Sequence, residues 1–248
     1  MKIASLVLSF ILFLGINVYG NSDQKDSHAL FTEILKEYVH DGKVNYTDLC
    51  KDDRLEKYLN QISNTNPDKI ENTQDRLAFW INAYNAFTLK IVCDNYPVKS
   101  IMDLDSGKIW DRVFIEINDT KMSLNHIEHE IIRKEFAEPR IHFALVCAAL
   151  SCPPLRSEAY QGNKLDDQLD DQGKIFFANK NKNYFELDKQ VAHISKILEW
   201  YGIDFGKTNS EILLYISRYL PAEIAKAIKK NPNEWEIEYT DYNWGMNE

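Results

Sequence analysis

The sequence contains no G-x-S-x-G, so the strained serine turn of an α/β-hydrolase is missing. It contains no HExxH and no zinc-finger grouping of Cys and His. Neither glycine-rich phosphate pattern occurs, which removes the usual nucleotide cradles. Positive charge is scarce: 29 Lys and Arg stand against 38 Asp and Glu, for a formal net charge of −9. Such a surface repels a phosphate backbone, which argues against nucleic acid as a partner. No internal repeat, low-complexity tract or clear linker follows residue 27. Long apolar runs are confined to the start of the chain, and no later stretch is long enough to cross a bilayer.

Residues 1–20 have the layout of a signal peptide. Lys2 supplies the positive end, Ile3 to Ile16 is almost wholly apolar, and Val18-Tyr19-Gly20 precedes a polar start at Asn21. The apolar core is shorter than the roughly 20 residues a membrane span needs. No Cys sits near residue 20, which argues against a lipid-modified lipoprotein. The expectation is an exported protein, periplasmic or extracellular, with no stable membrane span after cleavage. Residues 21–27 are polar and read as a flexible N-terminal segment. The rest, 28–248, is expected to be one globular domain with its core motifs in 73–180. A hydrophobic content of 44% suits a single core of that size.

Helical spacing recurs at Leu30, Ile34, Leu35 and Tyr38, and again at Leu55, Tyr58, Leu59 and Ile62. The longest helical pattern runs from Thr73 to Asp94 and is apolar nearly all round, so it reads as buried. Within it Asn82 and Asn85 share a face. A buried amide needs hydrogen-bond partners, so these two either tie down neighbouring backbone or line a pocket. Trp110 to Ile117, the Asn118-Asp119 turn and Lys121-Met122 read as a hairpin. Short strands are expected at Tyr184–Leu187, Val191–Ile194 and Trp235–Tyr239. Helices and short strands in mixed order predict an α+β fold, with helices packed around a small, mostly antiparallel sheet.

The most apolar run after residue 20 is Pro139 to Leu155. It opens on Arg140 and His142 and closes on Cys147, Ser151, Cys152 and a double proline. It reads as a buried strand that surfaces in a fixed turn, because Pro153 and Pro154 remove amide donors and fix φ. Cys147 and Cys152 are close enough in sequence to pair across that turn. Cys93 sits in an apolar helical setting and reads as a small buried hydrophobe.

Two stretches resemble the family catalogued as domain of unknown function 547. They are Arg76-Leu77-Ala78-Phe79-Trp80-Ile81-Asn82-Ala83-Tyr84-Asn85-Ala86 and the run Pro139 to Leu155. Ile127-Glu128-His129 with Arg133, Glu158-Ala159-Tyr160, Gly42-Lys43-Val44-Asn45-Tyr46 and Tyr242-Asn243-Trp244 add to the resemblance, with Asn243 standing where Asp is usual. The resemblance implies a shared fold and an exported bacterial setting, and no assigned reaction.

Several constellations carry chemistry. Cys147, or less directly Cys152, is a candidate nucleophile with His142 as candidate base, since a thiolate needs a neighbouring imidazole or cation. In a strand, however, His142 and Cys147 would point to opposite faces, so the base for Cys147 would have to come from elsewhere, such as His126 or His129. His126 and His129, three apart, suit a shared metal only with a third ligand from His142 or Glu130, and no metal site is assigned. Glu128, Arg133 and Arg140 read as an ion-pair network under the strand. The favoured expectation is an extracytoplasmic binding or structural module. Its pocket would draw on Asn82, Asn85, Trp80, Glu128, Arg140, Ser151 and Cys152 beside His142, with no cofactor and with a small molecule or peptide as partner. The alternative is a thiol-dependent hydrolase or transferase acting on a peptide or amide through Cys147 and His142.

Overall fold

The structure is a computed structural model and describes residues 27–248. The expected signal segment 1–20 lies outside the described residues, as does the 21–27 segment up to residue 26. Among the described residues no helix is long and apolar enough to cross a membrane.

The helix Thr73–Cys93 is the axis of the fold. Asn72 caps it, its side-chain oxygen accepting the amides of Gln74 at 2.8 Å and Asp75 at 3.1 Å. Every side chain from Leu77 to Leu89 is buried. The helices Ala29–Tyr38 and Asp53–Ser63 pack alongside, presenting Phe31, Ile34 and Leu35, and Leu55, Tyr58, Leu59 and Ile62. At its end Cys93 is bonded to Cys50. The expectation that Cys93 is a buried thiol is therefore corrected: its sulfur faces a partner 43 residues away.

Among the described residues the strands form three small sheets rather than one. Val39–His40 pairs with Lys43–Val44, and Ile115–Ile117 pairs with Thr120–Met122, both antiparallel. Asn118 and Asp119 turn the second hairpin with positive φ at both central residues. In the third sheet Tyr184–Glu186 runs antiparallel to Val191–Ser195, which pairs in parallel with Glu236–Thr240. The result is α+β. The first hairpin backs onto the double-proline turn. Gly42 has a φ of 78°, and a Cβ there would lie 2.2 Å from the Pro154 Cβ.

Two apolar clusters make up the interior. The first surrounds the long helix. The second gathers Phe176, Phe177, Ile194, Leu198, Phe205, Leu213 and Ile216 from the C-terminal third. The run Pro139 to Leu155 threads between them, and it is not a strand. Ile141–Ala144 is one helical turn, followed by extended backbone that joins no sheet. Ile141, Ala144, Leu145 and Val146 face the first cluster and Phe143 the second. Its apolarity comes from this two-sided burial. The hydrogen bonds a sheet would supply come instead from a side chain: Asn85 donates to the Ala144 carbonyl and accepts the Val146 amide, both at 3.0 Å. Asn82 does the same for Tyr160, donating to its carbonyl at 2.8 Å and accepting its amide at 2.9 Å.

The C-terminal tail returns across this segment. Leu150 donates its amide to the Gly245 carbonyl at 2.8 Å, and the Asn243 amide donates to the Ser151 hydroxyl at 2.8 Å. Val44 donates to the Asn247 carbonyl at 2.8 Å, and the Tyr46 hydroxyl to the Asn247 side chain at 2.9 Å. Residues far apart in sequence thereby clamp the turn that holds both free thiols.

Candidate functional site

Where the two clusters meet, a cavity of about 340 Å³ opens. The segment after the short helix supplies Leu145, Val146, Cys147 and Cys152, and the helix itself supplies His142. Glu128 enters from His126–Ile132, a stretch of π-helix, a geometry often found at functional sites. Trp110, Trp200, Tyr201, Tyr242 and Trp244 form an aromatic wall, with Asp111 and Asn125 among the other lining residues. Trp200 packs on Tyr242 with ring centres 4.8 Å apart, and Tyr242 on Trp244 at 4.5 Å.

His142 is buried and held on three sides. Its Nε2 lies 2.7 Å from Asp204 Oδ2, its Nδ1 3.7 Å from Glu128 Oε1, and its ring stacks on Tyr201 at 4.1 Å. Arg133 grips the same Asp204 carboxylate in a bidentate pair at 2.6 and 2.7 Å. The hydrogen bond from His142 and the Arg133 guanidinium hold the Asp204 carboxyl well below the usual range, against the opposing effect of burial. Burial and the Glu128 carboxylate push the Tyr201 phenol up.

Cys147 is half-buried and Cys152 buried, and both are free thiols. The Cys147 amide donates to Cys152 Sγ at 2.7 Å, and Cys147 Sγ lies 3.1 Å from the Tyr242 hydroxyl. Burial raises the Cys147 thiol, but hydrogen bonds from the Cys152 thiol, the Tyr242 hydroxyl and the Ala149 amide outweigh it, so the net direction is down. Burial and the neighbouring Cys147 push Cys152 up.

Of the residues singled out by sequence, Glu128, His142, Cys147 and Cys152 line this cavity. The opposite-face objection to His142 and Cys147 falls with the strand it assumed. Even so, no imidazole is a hydrogen-bond partner of Cys147 Sγ among the described residues. Asn82, Asn85, Trp80, Arg140 and Ser151 are not among the lining residues. Trp80 packs edge-on against Phe79 in the first cluster. Arg140 binds Glu138, Asp166 and Asp170 and ties its segment to the helix Leu165–Ala178. Ser151 serves the tail. Among the described residues no group of three His, Cys, Asp or Glu side chains is placed to hold a metal ion. Sequence reasoning missed Asp204, Trp200, Tyr201, Asp111 and Asn125 as site residues. The adjacent rings of Trp200 and Tyr201 ahead of Gly202 are the one visible signal, since amphipathic packing does not require two large aromatics there.

Residues 67–177 match the family described as Protein of unknown function, DUF547. That stretch, a little under half of the chain, is similar to the DUF547 family. The DUF547 match includes the helix Thr73–Cys93, Glu128, His142 and both free thiols, whereas Trp200, Tyr201, Asp204, Tyr242 and Trp244 lie beyond it. The cavity is thus closed by parts of the chain outside the DUF547 match. No curated protein and no solved structure matches the chain significantly.

Proposed function

We propose that this chain is an exported, extracytoplasmic binding module whose cavity takes a small organic cation on an apolar frame, such as an amine-bearing small molecule or peptide side chain. One observation carries the reading. The buried Glu128 carboxylate stands in a cavity walled by tryptophan and tyrosine, and among the described residues no Lys or Arg lines it. Aromatic rings attract cations, and a carboxylate sheltered from water strengthens that pull. The volume suits a small ligand. Export is supported by the charged and apolar pattern of residues 1–20 and by the Cys50–Cys93 bond, which suits an oxidising compartment.

Calorimetric titration with benzyltrimethylammonium, benzylamine and phenylacetate tests it. The two cations are expected to bind and phenylacetate is not. Glu128→Gln is expected to weaken the cations about tenfold or more, equivalent to ~1.4 kcal/mol. Equal binding of phenylacetate, or an unchanged affinity in Glu128→Gln, would refute the reading.

A second reading, a thiol-dependent hydrolase or transferase, is favoured by one feature: the same cavity holds Cys147 with its thiol shifted down. Against it, the His142 ring nitrogens face Asp204 and Glu128 rather than the sulfur. A burst of nitrophenol from p-nitrophenyl acetate that disappears in Cys147→Ser would favour it.

A further inference from the structure

The binding reading makes no use of the second thiol, Cys152. Its sulfur accepts the Cys147 amide at 2.7 Å, so the chain curls back on itself between the two residues. Ala148 makes that curl possible with a φ of 57°, and the Cys152 amide closes it on the Ala149 carbonyl at 3.1 Å. The tail fastens the outside of the curl through Gly245 and Asn243. Both residues line the cavity, yet only Cys147 is partly exposed. The remaining two cysteines of the chain are already bonded to each other, so Cys147 has no competing thiol partner within the molecule.

We propose that Cys147 and Cys152 form a working dithiol that exchanges with an external disulfide entering the cavity, Cys147 attacking and Cys152 resolving. The Cys147 thiolate attacks one sulfur of the external disulfide. A Cys147–substrate S–S bond forms, the original S–S bond breaks, and the first thiolate leaves to take a proton from water. Cys152 then loses its proton to water and attacks Cys147 Sγ. The Cys147–Cys152 bond forms and the second thiolate leaves. The dithiol has given up two electrons and two protons, and the external disulfide has become two thiols.

The two sulfurs are set apart in the manner such a division of labour needs. Hydrogen bonds from Cys152, Tyr242 and the Ala149 amide outweigh burial and favour the thiolate at Cys147, while burial keeps Cys152 protonated until the mixed disulfide is in place. Tyr242 holds the attacking sulfur at the cavity wall, 3.1 Å from its hydroxyl. This inference does not depend on the ligand being a cation.

The test uses the full chain, its Cys50–Cys93 bond intact, mixed with oxidised glutathione and followed by intact mass and peptide mapping. Wild type is expected to lose two hydrogens, with the new bond mapped to Cys147 and Cys152 and no lasting glutathionyl adduct. Cys152→Ser is expected to hold one glutathionyl group on Cys147, its adduct living at least about tenfold longer than in wild type. Cys147→Ser should form neither product on that timescale. Cys152→Ala, with thermal melts of all variants, guards against a serine that merely disturbs packing. A stable glutathionyl adduct on wild type would overturn the proposal. So would two thiols still free at equilibrium, or a folded Cys152→Ala that takes no adduct.

Discussion

Replacing Asn85 by alanine removes one side chain but orphans two backbone groups. The Ala144 carbonyl and the Val146 amide each lose their partner at 3.0 Å. Asn85, Ala144 and Val146 are all buried, so bulk water does not step in. An unsatisfied buried group costs about 1–3 kcal/mol, so with two of them Asn85→Ala is expected to cost roughly 2–6 kcal/mol. That is a large share of the roughly 5–15 kcal/mol that holds a typical domain together. Urea unfolding at neutral pH measures it: the midpoint should fall while the slope stays constant. Asn82→Ala orphans the amide and carbonyl of Tyr160 and should cost a similar amount. Asn95→Ala is the control, because the Asn95 side chain only donates to the Ile91 carbonyl within its own turn. Because Val146 precedes Cys147, loosening it should also change the rate at which iodoacetamide labels that thiol. A loss below about 0.5 kcal/mol in Asn85→Ala would refute the claim that this amide replaces a sheet ladder.

Further outcomes follow from other contacts. Reducing the Cys50–Cys93 bond, or Cys50→Ser, should cost about 4 kcal/mol on the chain-entropy account of a 43-residue separation; an unchanged urea midpoint would contradict it. Asp204 has a depressed carboxyl pKa, so its contribution is complete above the ordinary carboxylate value of about 3.9 and drains away as pH falls below it. The stability gap between wild type and Asp204→Asn should therefore be wide at pH 6 and narrow towards pH 2, and a gap independent of pH would count against the pairing. Gly42→Ala meets both a left-handed φ and the Pro154 Cβ, and should cost about 2 kcal/mol or more; an unchanged melting temperature would contradict this. Iodoacetamide should label Cys147 well before Cys152 in the folded chain, and the reverse order would contradict the exposures described above.

Much of the scaffold was legible because its cause is local. The helix Thr73–Cys93 announces itself through its all-round apolarity, and the second hairpin through Asn118-Asp119. The run Pro139 to Leu155 misled because burial between two clusters produces the same apolar run as a buried strand. Phe143 turns to one cluster and Ile141 to the other, and composition does not record direction. The Cys50–Cys93 pairing is a long-range fact that spacing alone does not fix. At the site, residues in the stretches that carry the resemblance were visible: Glu128 lies in a marked stretch, and His142, Cys147 and Cys152 lie in the apolar run. Asp204 was invisible because its role depends on Arg133 and His142 arriving from more than 60 residues away.

The tail has a consequence for how the protein is made. Tyr242 and Trp244 supply part of the cavity wall, and residues 243–247 fasten the curl that carries both thiols. During synthesis the earlier helices emerge first, at about 5–20 residues per second. The last strap arrives only when translation has passed residue 247. Until then the chain is a partly built vessel with an unpinned floor, so the proposed ligand capture and sulfur exchange both wait until residue 247 has been made.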